Sequence, residues 1–352
     1  MNDRHEFQQG APAQASHQER QREMNDRHAP SADGVRQAAE ILNGAAIATP
    51  LLENEWLNAR AGGRILMKAE TLQHGGSFKF RGAMTRLSRL PEAERARGII
   101  AWSSGNHAQG VARAAKLFGA RAVIVMPEDA PAFKVAQVRA YGGEIVFYDR
   151  YRDDREEIAR RIAAEDAMAI APSYDHPDII EGQGTLALET VNEAAARGLS
   201  LDAFIVCCGG GGLTSGCATI LEAISPATEI FIAEPEGYDE TWASIRAGRI
   251  VKADISKKTI CDALATPAPG AITFEIMRRL VKGGFTLSDA EVEEALAWAF
   301  KYLKLVLEPG GAIALAAVYH RKIRAQGRTI ALTLSGGNVD PGLFADILAR
   351  HG

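Results

Sequence analysis

One lysine in the sequence stands where its amine could act as a nucleophile. Lys79 lies in residues 75–83, Gly-Gly-Ser-Phe-Lys-Phe-Arg-Gly-Ala, which follow an apolar strand pattern and open a helical one. A cation is disfavoured at a helix start, because the helix dipole places partial positive charge there. A lysine used in its neutral form can attack a carbonyl carbon. The spacing alone leaves two interpretations open, this nucleophile and a solvated surface lysine.

A second polar segment, residues 103–110, reads Ser-Ser-Gly-Asn-His-Ala-Gln-Gly and lies between a predicted strand and a predicted helix. Open α/β sheets bind ligands at the carboxyl ends of their strands. The hydroxyls, the amide and the free N–H groups of a helix start suit an anion such as a carboxylate. Serine and asparagine also cap helices, so a structural cap is the alternative. One cap, however, needs fewer polar side chains than this segment carries.

Four consecutive glycines, Gly209 to Gly212, separate a buried strand pattern from a helix that begins near Leu213. Because glycines have no side chains, successive N–H groups can point at one anion, and phosphate is the expected ligand. Both the P-loop signature and the dinucleotide fingerprint are missing. A flexible turn is the alternative, although four glycines lower the stability of neighbouring elements. Residues 335–338, Ser-Gly-Gly-Asn, end another apolar strand, and a turn explains them equally well.

These four segments require a scaffold of alternating strands and helices. Apolar, β-rich runs predict strands at residues 64–68, 98–102, 122–126, 144–147, 204–207, 230–233 and 329–334. Amphipathic patterns predict helices at residues 108–118, 133–141, 153–164, 182–196, 289–302 and 311–323. Strands separated by helices of this length indicate βαβ units and parallel sheet. Periodicity does not decide between one large sheet and two.

Composition favours an ordinary globular protein. The 352 residues suggest two domains and can bury a core without disulfides. A formal net charge of -4 argues against a nucleic-acid partner bound through bulk positive charge. The longest uncharged run, residues 203–221, contains the four glycines, so no membrane span is expected. The four cysteines form no C-x-x-C pair, which favours a reduced, cytoplasmic protein.

Together, the four segments resemble the fold type II pyridoxal-phosphate enzymes, in the threonine/serine dehydratase and serine racemase branch. The motifs S-F-K-x-R-G-A, S-G-N-H-A-Q-G, G-G-G-G-L and S-G-G-N-V-D occur in the family's order between about residues 35 and 342. The resemblance implies the tryptophan synthase β-like α/β fold, two doubly wound domains with the site in the cleft between them. The expected division is a large cofactor domain at 33–97 plus 176–352 and a small domain at 98–175. Residues 1–32, which are polar and charged, are expected to form a disordered tail.

The resemblance also implies residue roles around pyridoxal 5'-phosphate, with Lys79 carrying it as a Schiff base. The implied catalytic residues are Lys79 and Ser104. The implied cofactor contacts are Phe78, Lys79, Asn106, Gly209, Gly210, Gly211, Gly212, Leu213 and Ser335. The implied substrate contacts are Ser103, Asn106, His107, Thr266 and Arg155, although an arginine beside Asp153 and Asp154 more often forms a surface ion pair.

A cation site is implied by residues 234–240. It would use the carboxylates of Glu234 and Glu240 and the carbonyl oxygen of Tyr238, oxygen ligands that suit Mg²⁺ or Ca²⁺. Glu240 stands where the family usually has aspartate. A solvated acidic turn is the alternative.

The activity implied is dehydration of a β-hydroxy amino acid such as threonine, serine or 3-hydroxyaspartate, which gives a 2-oxo acid and ammonia. Ser335 would face the pyridine nitrogen, and a neutral hydroxyl there suits elimination better than transamination. Ser104 stands where dehydratases often have alanine and the racemase branch has serine. A racemase, a bifunctional racemase and dehydratase, or a β-replacement enzyme such as a cysteine synthase is therefore an alternative. A nucleotide- or nicotinamide-binding protein is an alternative from another class, and a homodimer or homotetramer is expected.

Overall fold

The computed structural model describes residues 29–352, in which strands and helices alternate. The strands are β1 (Leu51–Glu53), β2 (Arg64–Lys68), β3 (Ile99–Trp102), β4 (Ala122–Pro127), β5 (Glu144–Tyr148), β6 (Ala169–Ile170), β7 (Ala203–Cys207), β8 (Glu229–Pro235), β9 (Val281–Leu287) and β10 (Thr329–Thr333). The α-helices are α1 (Ala32–Leu42), α2 (Glu55–Ala61), α3 (Lys79–Arg89), α4 (Glu92–Arg97), α5 (Asn106–Phe118), α6 (Ala132–Ala140), α7 (Arg155–Glu165), α8 (Pro177–Ala196), α9 (Gly212–Ile224), α10 (Glu240–Ala247), α11 (Ala271–Leu280), α12 (Asp289–Trp298), α13 (Pro309–Tyr319) and α14 (Pro341–His351). None of the helices within this range is long and apolar enough to cross a membrane.

The strands form two sheets. The larger has the order β1-β2-β10-β7-β8-β9, in which β1 runs antiparallel to β2 and the other neighbours are parallel. The smaller has the order β5-β4-β3-β6 and is parallel throughout. Because parallel neighbours end at the same edge, the segments after β2, β7 and β10 meet at one edge of the larger sheet. The segment after β3 comes from the smaller sheet.

The seven predicted strands all occur, with ends within two residues of those predicted. Strands β1, β6 and β9 were not predicted, because β1 and β6 are very short and β9 contains Gly283 and Gly284. Helix α8 starts at Pro177, five residues before the predicted start at 182, and the predicted helix at 289–302 becomes a π-helix at Ala299–Leu303. The α/β fold class with two α/β units is confirmed. The exact domain boundaries stay a proposal, with all four strands of the smaller sheet inside 98–175.

Most of the predicted tail, residues 1–28, lies outside the described residues. Its last residues belong to the folded part: Ser31 caps α1 by accepting a hydrogen bond from the Gly34 N–H, and α1 begins at Ala32. The Ser31 N–H also donates to the carboxylate of Glu181, at 3.0 Å. Ser31 and Ala32, which the prediction placed in the tail, therefore belong to the folded part.

Helix α3 connects the cores of the two sheets. Its apolar residues Phe80, Ala83 and Leu87 are fully buried in the core of the smaller sheet, together with Val111 of α5. Helices α3 and α5 approach so closely that a Cβ on Gly110 would lie 3.0 Å from the carbonyl carbon of Lys79. The start of α3 is therefore fixed relative to the segment that precedes α5.

A buried ion network fixes the same helix on its other side. The guanidinium of Arg81 is fully buried and donates to Glu70 and Glu189 at 2.6 to 2.8 Å. The ammonium of Lys68 lies 2.7 Å from Glu189. The two positive and two negative charges thus offset one another, as charged groups in a protein interior require.

Helices α8 and α9 pack backbone to backbone. A Cβ on Gly216 would lie 2.1 Å from the carbonyl oxygen of Ile180, and a Cβ on Gly184 would lie 2.6 Å from the carbonyl oxygen of Gly216. Real Cβ atoms do not come this close to backbone atoms. The two helices would therefore have to move apart to accept a side chain at Gly184 or Gly216.

We expect Gly216→Ala to lower the free energy of unfolding by roughly 2–3 kcal/mol, because overpacking pushes α8 and α9 apart. Urea unfolding followed by circular dichroism measures the change. Gly342→Ala is the matched control: it lies on exposed helix α14, where the added Cβ would meet only the side chain of Asp340 at 3.1 Å. A Gly216→Ala protein as stable as this control would contradict the proposed contact.

Candidate active site

Residues from both sheets line a cavity of about 660 Å³. Every cofactor or substrate residue expected from the sequence lies in its wall: Phe78, Lys79, Ser103, Ser104, Asn106, His107, Arg155, Gly209, Gly210, Gly211, Gly212, Leu213, Thr266 and Ser335. The three residues of the expected cation site do not line the cavity. Segments separated by more than 200 residues are thus brought together in one site.

Lys79 presents its amine inside this cavity. It is half-buried, and its Nζ donates to the carbonyl oxygen of Ser173 at 2.8 Å. Burial lowers the pKa of the Lys79 amine to about 8, although the neighbouring Cys207 thiol and Glu308 carboxylate act in the opposite direction. A larger neutral fraction than that of an ordinary lysine therefore exists near pH 7 to 8, which is what a nucleophilic or proton-accepting lysine needs.

The position of Lys79 depends on contacts between the segments after β2 and β10. The Phe78 N–H donates to the carbonyl oxygen of Ser335 at 3.1 Å, and Ser77 forms a β-bridge with Gly336. The Phe78 ring centroid lies 5.2 Å from the Lys79 Nζ. These contacts hold the lysine and Ser335 in the same wall.

The glycine segment forms an anion cradle at the start of α9. Gly211 has a φ of 90°, and a Cβ on Gly210 would lie 2.4 Å from the ring of Tyr174, so neither position tolerates a side chain. The carbonyl oxygens of Gly209 and Gly210 accept hydrogen bonds from the hydroxyls of Thr241 and Thr273. The first N–H groups of α9 have no partner within the helix and carry partial positive charge. This donor set fits a phosphate group.

The part of the cavity wall that Ser335 forms is uncharged. The Ser335 side chain is buried, and burial raises the pKa of the neighbouring Cys207 thiol, so that both groups stay neutral. An amine, a phosphate cradle and a neutral hydroxyl in one cavity fit pyridoxal phosphate. Cys207 was missed in the sequence, since a cysteine at the end of a buried strand is an ordinary core residue.

The segment before α5 offers one free hydroxyl. The Gly105 N–H donates to the Ser103 Oγ at 3.2 Å, whereas the half-buried Ser104 hydroxyl makes no hydrogen bond to any residue between 29 and 352. Gly105 is the N-cap of α5, and no side chain caps this helix. The alternative in which Ser104 serves as a helix cap is therefore wrong.

Asn106 and His107 are both tied to the protein. Asn106 Nδ2 donates to Glu308 Oε1, and its Oδ1 accepts from Asn338 Nδ2 at 2.8 Å. His107 Nε2 lies 2.8 Å from the carbonyl oxygen of Ala171. Burial and the charge of Lys79 lower the pKa of His107 to about 3, so its imidazole stays neutral. The His107 side chain thus fixes the segment in place, and its backbone N–H lies in the first turn of α5, where N–H groups have no partner within the helix.

Glu308 is a site residue to which sequence reasoning gave no role. Its carboxylate is buried beside Asn106, and burial, together with the charge of Asp262, raises its pKa to about 7. Glu308 also precedes Pro309 and Gly310 at the start of α13, and this helix-start position is a signal that could have identified it.

Two of the residues expected to contact substrate are Thr266 and Arg155. The hydroxyl of Thr266 donates to Glu240 Oε1 at 3.2 Å. Arg155 begins α7 with its side chain exposed at the cavity, and it forms no ion pair with any described residue. The alternative of a surface ion pair with Asp153 or Asp154 is wrong: Asp154 caps α7, and Asp153 accepts from the Asp149 N–H.

The expected cation residues lie beneath the cavity. Glu234 is buried and accepts from the N–H groups of Thr241 and Trp242, and burial and the nearby Glu240 raise its pKa well above the usual range. Burial raises the pKa of Glu240 to about 7. The alternative of a solvated acidic turn is therefore wrong. Within residues 29–352 no cluster of three or more His, Cys, Asp or Glu side chains could hold a metal ion, and a cation bound with the Tyr238 carbonyl stays a prediction.

Comparisons with known proteins agree with this geometry. A family model described as pyridoxal-phosphate dependent enzyme matches residues 42–336. The chain is 44% identical to an L-threo-3-hydroxyaspartate ammonia-lyase of Pseudomonas sp over 314 residues, covering 89% of this chain and 97% of the relative. It is 40% identical to a serine racemase of Schizosaccharomyces pombe over 321 residues, covering 91% and 98%.

A solved structure of maize serine racemase superposes with a TM-score of 0.86 at 34% identity, covering 92% of this chain and 98% of the other. The matched region contains the lysine, the serine segment, the glycine cradle and Ser335. The chain therefore belongs to the family of pyridoxal-phosphate dependent enzymes.

Proposed function

We propose that the protein is an ammonia-lyase that converts a β-hydroxy amino acid into a 2-oxo acid and ammonia. The observation that carries the proposal is the Lys79 amine, with a pKa of about 8, in one cavity with the glycine cradle and the neutral Ser335. Glycine segment N–H groups would hold the cofactor phosphate, and Asn106 and Ser335 would contact its ring. When bound, pyridoxal phosphate supplies a carbonyl for the lysine and an electron sink for charge developed at the substrate Cα.

The protein's own groups account for the remaining chemistry. The neutral Lys79 Nζ accepts the Cα proton, and the N–H groups at the start of α5 bind the substrate carboxylate. In the net elimination, the Cα proton and the β-hydroxide leave as one water molecule; a second water molecule later replaces the amino group, so the products are a 2-oxo acid and ammonia. Ser335 is a neutral partner that does not enforce a protonated pyridine nitrogen, which favours loss of the β-substituent over transamination.

The proposed substrate is a β-hydroxy amino acid with a second carboxylate, 3-hydroxyaspartate. Arg155 supports this choice, because an exposed guanidinium without an ion-pair partner among the described residues stands at the cavity wall. Arginine binds carboxylates through paired N–H groups. The name of the Pseudomonas relative, an L-threo-3-hydroxyaspartate ammonia-lyase, supports it as well.

The proposed setting is a cytoplasmic homodimer or homotetramer. The four cysteines are all free thiols, which supports a reducing compartment. Trp56 and Tyr302 stack edge to face with ring centroids 4.9 Å apart, and both are exposed together with Phe300 and Val306. The exposed Trp56–Tyr302 pair supports contact with a second copy.

A turnover screen with 3-hydroxyaspartate, threonine and serine, reading 2-oxo acid and ammonia, tests the function. We expect Arg155→Met to lower kcat/KM for 3-hydroxyaspartate about 10- to 100-fold, the value of a charged hydrogen bond, and to change the value for serine little. Arg152→Met is the control, since Arg152 is exposed and pairs with Asp149 at 3.4 Å. Equal losses on all three substrates would contradict the role of Arg155, and no turnover of any β-hydroxy acid would contradict the proposed function.

Lys79→Ala should abolish turnover, because both the carbonyl-binding amine and the proton acceptor are lost, whereas the melting temperature should change little. The neutral amine is the reactive form, so labelling of Lys79 in the cofactor-free protein by an amine reagent should rise as the pH passes about 8 rather than 10.5. Peptide mass spectrometry measures the labelled fraction, and exposed Lys116→Ala serves as the activity control. Near-normal turnover by Lys79→Ala would remove the basis of the assignment.

A second activity, racemisation, is favoured by Ser104, whose hydroxyl is neither a helix cap nor bonded to any described residue. By resemblance to the racemase branch, it would face the substrate Cα opposite Lys79, and racemisation needs a proton donor on one face and an acceptor on the other. We expect Ser104→Ala to remove α-proton exchange and D-isomer use and to leave L-isomer dehydration largely intact. Ser103→Ala is the matched control, expected to weaken both activities through the carboxylate segment. A wild-type protein with no exchange in deuterated water would disprove the two-face proposal.

A further inference from the structure

An ion pair joins the two walls of the cavity. Lys134 Nζ lies 2.9 Å from Asp262 Oδ2. Lys134 is on α6, which follows β4 of the smaller sheet, whereas Asp262 begins the short 3₁₀-helix Asp262–Leu264 between β8 and β9 of the larger sheet. Both residues line the cavity. The pair therefore crosses from the wall built on one sheet to the wall built on the other.

The two partners differ in their access to water. The Lys134 side chain is 9% exposed, and that of Asp262 is 64% exposed. A buried ammonium is costly without a partner, whereas an exposed carboxylate is well solvated on its own. The pair thus lies at the rim of the cavity, and Lys134 gains most from keeping the walls together.

At the inner end, the walls are joined by a different contact. Asn106 hydrogen-bonds to both Glu308 and Asn338, and Asn106 and Glu308 are buried. The Glu308 carboxylate lies close enough to Asp262 and Lys134 for both charges to act on it. One end of the cleft is therefore closed by buried amide contacts, and the rim is closed by a half-exposed ion pair that can separate more easily.

We propose that Lys134 and Asp262 are a positioning pair that holds the two walls at their binding separation and that must open to admit substrate and release product. Neither residue has a role in the chemistry of the reaction. The proposal rests on the proposed function only through the choice of substrate for the kinetic assay.

The kinetic test uses the variants Lys134→Met and Asp262→Asn and the charge-exchanged double variant Lys134→Asp/Asp262→Lys. If the closed state alone binds substrate well, lowering its population raises KM by the same factor and leaves kcat unchanged at saturation. We expect each single variant to raise KM about fivefold with kcat within about twofold, and the exchanged pair to restore KM to within about twofold of wild type. Lys322→Met, which removes a lysine paired with Glu291 at 2.6 Å far from the cavity, should change neither constant.

Hydrogen–deuterium exchange on the substrate-free protein provides an independent measurement. Amides of α6 and of residues 260–266 should exchange faster in both single variants and return to wild-type rates in the exchanged pair. Exchange rates test the role of the ion pair even when the wild-type protein turns over none of the substrates. Failure of the proposed function is therefore distinguishable from failure of this proposal.

Three results would overturn the proposal. A raised KM in Lys134→Met alone, without rescue by the exchanged pair, would mean that Lys134 binds substrate directly. A lowered kcat with unchanged KM would mean a role in the chemistry. A lowered melting temperature with unchanged exchange rates, KM and kcat would mean a purely structural ion pair.

Discussion

The buried ion network around Arg81 is the interaction on which the geometry of the cavity depends. Arg81 lies two residues after Lys79, and its guanidinium has no contact with water. It reaches Glu70 after β2 and Glu189 on α8, where Lys68 adds a second cation. Loss of the Arg81 guanidinium would leave the fully buried Glu70 carboxylate without its ion-pair partner, at a cost of about 3–5 kcal/mol. The contacts of Arg81 therefore fix the position of the first turn of α3, which begins at Lys79.

From this fixed point, the two sheets contribute different groups. The edge of the larger sheet carries Lys79, the glycine segment and Ser335, which are the groups that fit the cofactor. The smaller sheet carries residues 103–107, whose hydroxyls and N–H groups are the proposed partners of a substrate carboxylate. Because α3 packs against α5 through Phe80 and Leu87, the position of the substrate segment is coupled to that of the lysine. In the proposed opening of the rim, only the Lys134–Asp262 pair separates, and the buried contacts of Asn106 stay closed.

Much of this arrangement could be predicted from the sequence, because its signals are local. Apolar runs such as residues 203–207 mark parallel strands that are buried on both faces, and the glycines after them mark an anion site. Contacts between residues that are far apart in the sequence could not be predicted. Lys134 and Asp262 are separated by 128 positions, and nothing in their spacing indicates contact. The resemblance predicts Glu234 as a cation ligand, and the sequence leaves a solvated acidic turn as the alternative; only the fold shows that Glu234 is buried against the start of α10.

Strand β10 is the last strand in the chain, yet it lies between β2 and β7 in the interior of the larger sheet. During synthesis, β2 and β7 therefore cannot complete their pairing until β10 is made, more than 120 residues after β7. Until then, two apolar strands lack their central neighbour, and both present unpaired edges. Sheets assembled from such distant pieces fold slowly and expose aggregation-prone surfaces on the way. The Ser335 wall follows β10 directly, so the cofactor pocket is completed in the same late event that closes the sheet.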